Sequence, residues 1–461
     1  MADDILTETE QDDADYALDS GTFAAIRMAV AAGDSDRLGE LLEPLHAADI
    51  ADLLEQVDSS HRREILFLGS RFFDGEVLSE LDESIRDEVI EFLPRDVLAD
   101  AVRALESDDV VDLVEDLDEP HQTAVLNALE DTDRVAVEQA LTYPEFSAGR
   151  LMQREVVAAP EHWTVGDAID YLRNNKKALP EEFYHIFVVD PRMKPVGHVS
   201  LGKLLSTKRS VPLTRIFEAN FLTIPVLQSE SEVAYAFNQY HLISAPVVDD
   251  DGRLIGMVTI DDAMAVLDEE HEEDILRLAG VSESSLSDRV IETTKQRLPW
   301  LAVNLVTAIL ASLVIAQFEE TIAQFVALAV LMPIVASMGG NAGTQSLTVA
   351  VRALATKDLT GSNVWRVIRR EAMVGLVNGV IFAVVMGAVG VLWFGPAMLG
   401  VVIAVAMVVN LVIAGLAGIL IPVALERAGV DPALASGAFV TTVTDVVGFF
   451  AFLGLAGAVL L

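Results

Sequence analysis

The chain has 461 residues, with 71 acidic against 31 basic side chains, and its net charge of −40 repels nucleic acid while attracting cations. It contains no cysteine, which excludes a disulfide scaffold and any thiolate-held metal. Only eight acidic and eight basic residues fall in 291–461, so the whole excess of negative charge lies in 1–290. The first half therefore reads as a soluble acidic module, and the second as a neutral, apolar one. General solubility, or life in a saline cytoplasm, accounts for the acidity as well as cation handling does.

Residues 1–21 are acidic and weakly apolar, which predicts a disordered tail, and Met-Ala-Asp-Asp-Ile-Leu lacks the regions of a cleavable signal. From 22 to 145 short amphipathic helices are expected. The pattern of an acid, two apolar or small positions and a second acid recurs at Asp49/Asp52 and Asp109/Asp112, with a related spacing at Asp96/Asp100. Such recurrence predicts a stacked helical array in which each unit buries its apolar face on the next. Residues 146–268 carry a second repeat. Each copy has an amphipathic helix, a Val-rich strand, a turn, and a strand ending Gly-x-Val-Ser/Thr: Gly197-His-Val-Ser200 in the first, Gly256-Met-Val-Thr259 in the second. This is the layout of a tandem CBS pair. A connecting helix is expected over 269–297, beginning in the acid-rich run Asp268 to Asp274.

Five apolar stretches follow, at 299–317, 322–351, 372–394, 399–424 and 434–461, each near or above the roughly 20 residues that a spanning helix needs. The loop between the second and third carries Arg352, Lys357, Arg366, Arg369 and Arg370, whereas the turns at Glu319-Glu320 and Phe394-Gly395-Pro396 carry no base. By the positive-inside rule the N-terminal half is cytoplasmic and the C-terminus outside. The second stretch is interrupted by Pro333, Gly339, Gly340, Asn341, Gly343 and Gln345. Broken backbone in a membrane is tolerated only beside protein or a wet cavity, so the interruption points to a pore, with small-residue helix packing as the bland reading. Asn410 reads as an interhelical hydrogen-bonding residue. Within the fifth stretch lies a lone carboxylate, Asp445, and intramembrane charges of this kind commonly mark ion paths.

In its order of parts, and in Gly339-Gly-Asn-x-Gly-x-Gln345, Gly429-Val-Asp-Pro-Ala-Leu-Ala-Ser436 and Thr444-Asp445-Val-Val-Gly448, the chain resembles the MgtE magnesium channels and transporters. The resemblance implies a multidomain fold: an α-helical repeat domain and a tandem CBS (α/β) pair, followed by a five-helix polytopic transmembrane domain. It implies a homodimer in the bacterial cytoplasmic (inner) membrane that imports Mg2+ and is not an enzyme. Its pore would be lined by the second and fifth spans, with paired Asp445 at the selective site and Thr441, Asn341 and Gly448 beside it. It further implies that cytosolic Mg2+ closes the pore through the connecting helix. By position, the matching regulatory acids are Glu76, Asp108 and Asp112 in the helical domain and Asp262, Glu270, Glu273 and Asp274 on the CBS side. Each of these acids, taken alone, reads equally as a solvated surface charge.

Chemistry supports the pore reading separately. Mg2+ takes oxygen ligands octahedrally and sheds water reluctantly, and two close carboxylates favour a divalent over a monovalent ion. Co2+, Ni2+ and Mn2+ carry the same charge and are further candidate cargoes. Dense carboxylates within a Debye length of about 8 Å repel one another until divalent ions bridge them. CBS pairs also hold adenine nucleotides through an acid after Gly-x-Val-Ser/Thr; the second copy keeps Asp262, whereas the first has Lys203, so ATP fits this chain poorly. A secondary divalent-cation transporter coupled to another ion would use the same spans.

Overall fold

The computed structural model describes residues 20–115, 117–176, 179–180, 183–281 and 290–461. The expected acidic tail lies, but for its last two residues, outside them. The chain divides into two compact units, 1–268 and 269–461.

The first unit begins with α1 (Ser20–Ala32), α2 (Ser35–Leu42), α3 (Ala47–Gln56), α4 (Ser59–Leu68), α5 (Gly75–Ser79), α6 (Glu83–Phe92), α7 (Arg95–Ala104), α8 (Ser107–Glu115), α9 (Glu119–Ala128) and α10 (Asp131–Ala140). Many of the acids that recur along this segment act at helix starts. Asp34, Asp58, Asp74 and Asp82 accept backbone N–H groups at the N-termini of α2, α4, α5 and α6, and Asp49 bonds back to the His46 N–H ahead of α3. The opposite faces of these helices close one apolar core around Leu38, Leu53, Leu54, Leu66, Val102 and Leu113.

After α11 (Ala148–Leu151), the chain twice lays down a three-stranded sheet. In the first copy β1 (Ala158–Pro160) pairs parallel with β2 (His185–Val189), which pairs antiparallel with β3 (Pro195–Ser200), around α12 (Val165–Asn174) and α13 (Leu201–Ser206). In the second, β4 (Ile224–Pro225), α14 (Glu230–Tyr240), β5 (Ser244–Val248) and β6 (Leu254–Thr259) repeat it. The register slips at the same place in both, between Val188 and Val189 and between Val247 and Val248. His185 Nδ1 and Ser244 Oγ, which open the equivalent strands β2 and β5, lie 2.8 Å apart across the pair. β6 runs directly into α15 (Ile260–Leu278).

The expected connecting helix over 269–297 is not one helix. α15 stops at Leu278, where Gly280 takes φ +74° and the Val281 N–H returns to the Leu276 carbonyl at 2.9 Å, a left-handed helix ending that glycine adopts at no steric cost. The next described helix is α16 (Val290–Ala316), followed by α17 (Glu319–Gln324), α18 (Ala327–Ala355), α19 (Val364–Phe394), α20 (Ala397–Arg427) and α21 (Pro432–Leu460). Five of these, all but α17, are long and apolar enough to cross a membrane. α20 is the central element, packed on α18, α19 and α21 around Leu331, Ile403, Ala406, Met407, Phe452 and Leu453.

The predicted break in the second span is also corrected. α18 runs unbroken through Pro333 and all three glycines. Its glycines serve close packing: a Cβ on Gly343 would stand 2.6 Å from Val440 Cγ1, and one on Gly418 of α20 would stand 2.7 Å from the Gly343 carbonyl oxygen. Small residues let these helices approach backbone to backbone.

Candidate functional site

α18 presents a polar face inside the apolar zone. Ser337, Asn341, Thr344, Gln345 and Thr348 are all exposed, at spacings that keep them on one side of a helix. The Thr344 and Thr348 hydroxyls donate 3.0 Å to the Gly340 and Thr344 carbonyls of their own helix, as hydroxyls in apolar surroundings commonly do. The amides of Asn341 and Gln345 have no such partner among the described residues. Bare amides against hydrocarbon cost several kcal/mol each, so this face calls for water or another protein surface.

On α21, Thr441, Asp445 and Gly448 recur at i, i+4 and i+7 and share a side of the helix. Thr441 is exposed, Asp445 half-buried and Gly448 buried. The Thr441 hydroxyl donates to the Gly437 carbonyl at 2.9 Å, and its carbonyl accepts the Thr444 hydroxyl at 2.9 Å, so both polar groups of Thr441 are engaged within the helix. Asp445 has neither a hydrogen-bond donor nor a cation beside it among the described residues. The spans hold a second acid, Glu371, which sequence reasoning passed over. It is buried, receives the Ser346 hydroxyl at 3.1 Å and pairs with Arg370 at 3.0 Å, which makes it a satisfied structural acid. Its signal was an acid set directly after Arg369-Arg370 at the edge of an apolar run.

In the first unit, the N-terminus of α8 and the N-terminus of α15 meet. Ser107 Oγ donates to Glu155 at 2.8 Å and accepts the Arg154 N–H at 2.8 Å, and Gln153 donates to Glu106. Gln153 in turn exchanges two 2.9 Å backbone bonds with Met257 of β6, the strand that feeds α15. This stitching brings Glu106, Asp108 and Asp109 against Asp261 and Asp262. Burial, reinforced by Asp262, holds the Asp108 carboxyl well above its ordinary range, and burial with neighbouring acids lifts Glu106 and Asp109 to about 7. Asp262 is half-buried; desolvation and the neighbouring acids raise its carboxyl to about 6, against the Thr259 hydroxyl and N–H that it accepts. Two helix N-termini partly offset this repulsion. Among the described residues no three His, Asp or Glu side chains stand close enough to enclose a metal ion.

Of the acids predicted here, Asp108 and Asp262 lie at the centre. Asp112, one turn further on, reaches Arg86 at 2.9 Å. Glu76 is exposed in the first turn of α5. Glu106, Asp109 and Asp261 were missed, although the runs Glu106-Ser-Asp-Asp109 and Asp261-Asp262 at helix starts were legible as anion-rich N-termini. Lys203, where a ribose-binding acid was sought, lies 3.5 Å from Glu218. The first CBS copy therefore presents no carboxylate at that position, whereas the second keeps the half-buried Asp262.

In the second unit, Glu270, Glu273 and Asp274 line the last turns of α15. Glu273 pairs with Arg277, while burial, Asp431 and Glu270 together push the Asp274 carboxyl upward. Arg277 also bonds Asp431 at 2.7 Å, and Leu278 sits among Leu347, Val351, Ala433 and Val440.

Family comparisons agree with this layout. The divalent cation transporter signature of MgtE matches residues 332–455, the MgtE intracellular N domain 45–146, and CBS domains 148–209 and 214–269. The magnesium transporter MgtE of Thermus thermophilus is 33% identical over 441 residues, covering 94% of this chain and 97% of that protein. The chain belongs to the MgtE family. The magnesium transporter MgtE of Enterococcus faecalis is 34% identical over 69% of this chain and 70% of its own length, and that of Bacillus subtilis 32% identical over 70% and 72%. Among solved structures, the cytosolic domain of the Mg2+ channel MgtE in complex with ATP covers 53% of this chain and 99% of its own, at 29% identity and a TM-score of 0.49. This MgtE chain is thus a multi-pass membrane protein of a magnesium transporter family, with a helical N domain, a tandem CBS pair and five apolar helices.

Proposed function

We propose that two copies of this chain form a Mg2+-selective path into the cell across the cytoplasmic membrane, and that cytosolic Mg2+ closes it. One observation carries the reading: a carboxylate, Asp445, without a partner among the described residues on one span, and the two likewise unpartnered amides of Asn341 and Gln345 on another, α18, in helices otherwise apolar enough to cross a membrane. Lining a wet path on a two-fold axis satisfies both. A pair of Asp445 carboxylates then attracts a divalent ion more strongly than a monovalent one, because the Coulomb term scales with the product of charges. Asn341 and Thr441 face the ion's water shell, and Gly448 lets α21 pack closely behind. Co2+, Ni2+ and Mn2+ enter by the same route in so far as their hydrates match. The basic loop at Arg352 to Arg370 orients the N-terminus to the cytoplasm and the C-terminus outward.

Regulation follows from the acidic cluster. With Glu106, Asp108, Asp109, Asp112 and Asp262 charged and no cation present, repulsion parts the helical domain from the CBS pair; Mg2+ draws them together. Glu270, Glu273 and Asp274 respond in the same way along α15, and Glu76 contributes from the helical domain. Bound Mg2+ thus returns the signal of a filled cell to the path. ATP has a weaker claim on the CBS pair, since Asp262 already accepts the Thr259 N–H and hydroxyl and Lys203 replaces its counterpart.

The test is Mg2+ influx into liposomes holding the purified full-length chain, under a set membrane potential. Influx should follow the electrical gradient without movement of a coupling ion, should fall when millimolar Mg2+ bathes the cytoplasmic face, and should be lost in Asp445→Asn. Full influx in that variant, or stoichiometric counter-movement of H+ or Na+, would overturn the channel reading.

A further inference from the structure

Asn410 lies in the middle of α20, a helix that contributes nothing to the polar face of α18, and its side chain is completely buried. Its Nδ2 donates 2.8 Å to the Val335 carbonyl of α18. That oxygen already serves its own helix, so the amide takes the second lone pair and ties α20 to one particular turn of α18.

Two glycines from different helices press on the same side chain. A Cβ built on Gly339 of α18 would stand 2.9 Å from Asn410 Cγ and Oδ1, and one built on Gly448 of α21 would stand 3.0 Å from Nδ2 and Oδ1. A side chain at Gly339 could not be fitted there without a shift, and one at Gly448 would be tighter than nearly all such contacts, so the bare Cα positions let α18 and α21 close on Asn410. Oδ1 accepts no hydrogen bond among the described residues and lies close to where side chains on the two glycines would begin. Packing alone does not call for this arrangement. A leucine has the same branched shape and number of heavy atoms, though more bulk, and avoids burying a half-satisfied amide, which is costly. What an amide adds is a directional bond that fixes register, the best-attested use of a buried polar group.

We infer that Asn410 is a positioning residue that sets the separation and register of α18 and α21, and with them the placement of Asn341 and Asp445. Gly448 is one helical turn from Asp445, and Gly339 is two residues from Asn341, so a shift at the Asn410 junction moves both groups. Selective sites need their groups held to within about half an ångström, which loose helix packing does not provide. The inference rests on the proposed path along α18 and α21.

The experiment reconstitutes full-length Asn410→Leu in liposomes and reads Mg2+ influx, the Na+ to Mg2+ permeability ratio from reversal potentials, thermal midpoint and elution volume. With midpoint and elution close to the parent, Mg2+ influx should fall by about tenfold, the scale of one lost hydrogen bond, and the permeability ratio should shift toward Na+. Parental influx and ratio in a folded Asn410→Leu overturn the inference. Should leucine prevent folding, Gly339→Ala combined with Asn410→Ala replaces it, because the new methyl occupies space the amide vacates. That pair should recover the midpoint lost in Gly339→Ala alone while leaving selectivity impaired; recovery of both refutes a positioning role. Asp445→Asn, measured in parallel, separates the two ideas: full Mg2+ influx there strikes at the path itself, whereas failure of the Asn410 variants alone strikes at the spacing.

Discussion

The Arg277 guanidinium stands 2.7 Å from the Asp431 carboxylate and so joins the last turn of α15 to the first turn of α21. Each partner has a second task. Asp431 caps α21 by accepting the Ala433 N–H at 2.8 Å, and Arg277 also holds Glu273. Leu278, the next residue, fills an apolar socket made by α18 and α21, the helices that carry Asn341 and Asp445.

Separating the two roles of Asp431 is straightforward. Asp431→Asn keeps an oxygen for the cap and loses the charge, whereas Asp431→Ala loses both. The ion pair is about two-thirds shielded from solvent, so a contribution of about 1 kcal/mol is reasonable. Arg277→Ala and Asp431→Asn should each raise the cytosolic Mg2+ needed for half-inhibition by about fivefold, and the double variant should add little to either. Asp431→Ala should also lower the melting temperature in detergent through loss of the cap.

The acidic cluster gives a pH dependence with a definite sign. Glu106, Asp108, Asp109 and Asp262 all have pKa values raised on folding, so their closed arrangement is favoured while they are protonated and disfavoured as pH rises, through about 6 to 7 for Glu106, Asp109 and Asp262. Without divalent ions, protease cleavage near Ala104 to Asp109 in the full-length protein should be slow at pH 5.5 and fast at pH 8. At pH 8, Mg2+ should restore protection. Asp108→Asn with Asp109→Asn should weaken the pH dependence of protection across that window, leaving the part that Glu106 and Asp262 contribute.

Two glycines on neighbouring helices should behave oppositely. A methyl on Gly418 would meet Ser346 Cβ at 2.6 Å and the Gly343 carbonyl oxygen at 2.7 Å, so Gly418→Ala should cost about 1–3 kcal/mol and visibly lower the melting temperature. A methyl on Gly340 meets nothing within 4 Å and adds to the polar side of α18. Gly340→Ala should leave the melting temperature unchanged while reducing Mg2+ flux, and a normal flux would argue that the path runs elsewhere.

Gly280→Ala tests the end of α15. Its left-handed φ of +74° is costly for alanine, by about 1 kcal/mol. The variant should relieve that cost by extending the helix past Leu278, measurable as weakened Mg2+ inhibition together with altered cleavage around 279–281.

The sequence displayed some features plainly because they are local. Apolar length marked five spans, the repeated Gly-x-Val-Ser/Thr marked the paired sheets, and Asp445 stood out as an acid among Thr and Val. Asn410 was legible as an interhelical bonding residue, since an amide at that depth has few other fates. The backbone of α18 was misread because Pro333 and three glycines lower helix propensity in isolation, whereas close contacts to Val440, Asn410 and α20 decide the outcome in the folded molecule. Glu106, Asp109 and Asp261 escaped notice for a related reason. Their meeting depends on the Gln153–Met257 pairing, a relation about a hundred residues long that no local pattern encodes. The stop at Leu278 was written in Gly280, but a lone glycine beside a charged helix is a weak sign until its φ is known.

The continuity of α18 has a consequence for energetics of passage. Apart from the Ala329 carbonyl, which Pro333 leaves without its usual donor, a continuous helix has few idle carbonyls in its interior with which to replace solvent around a small, tightly aquated cation. Any ion travelling beside it keeps its inner hydration sphere, so throughput should scale with the radius of the aquo complex rather than of the naked ion, and the barrier should carry little of the enthalpy of dehydration.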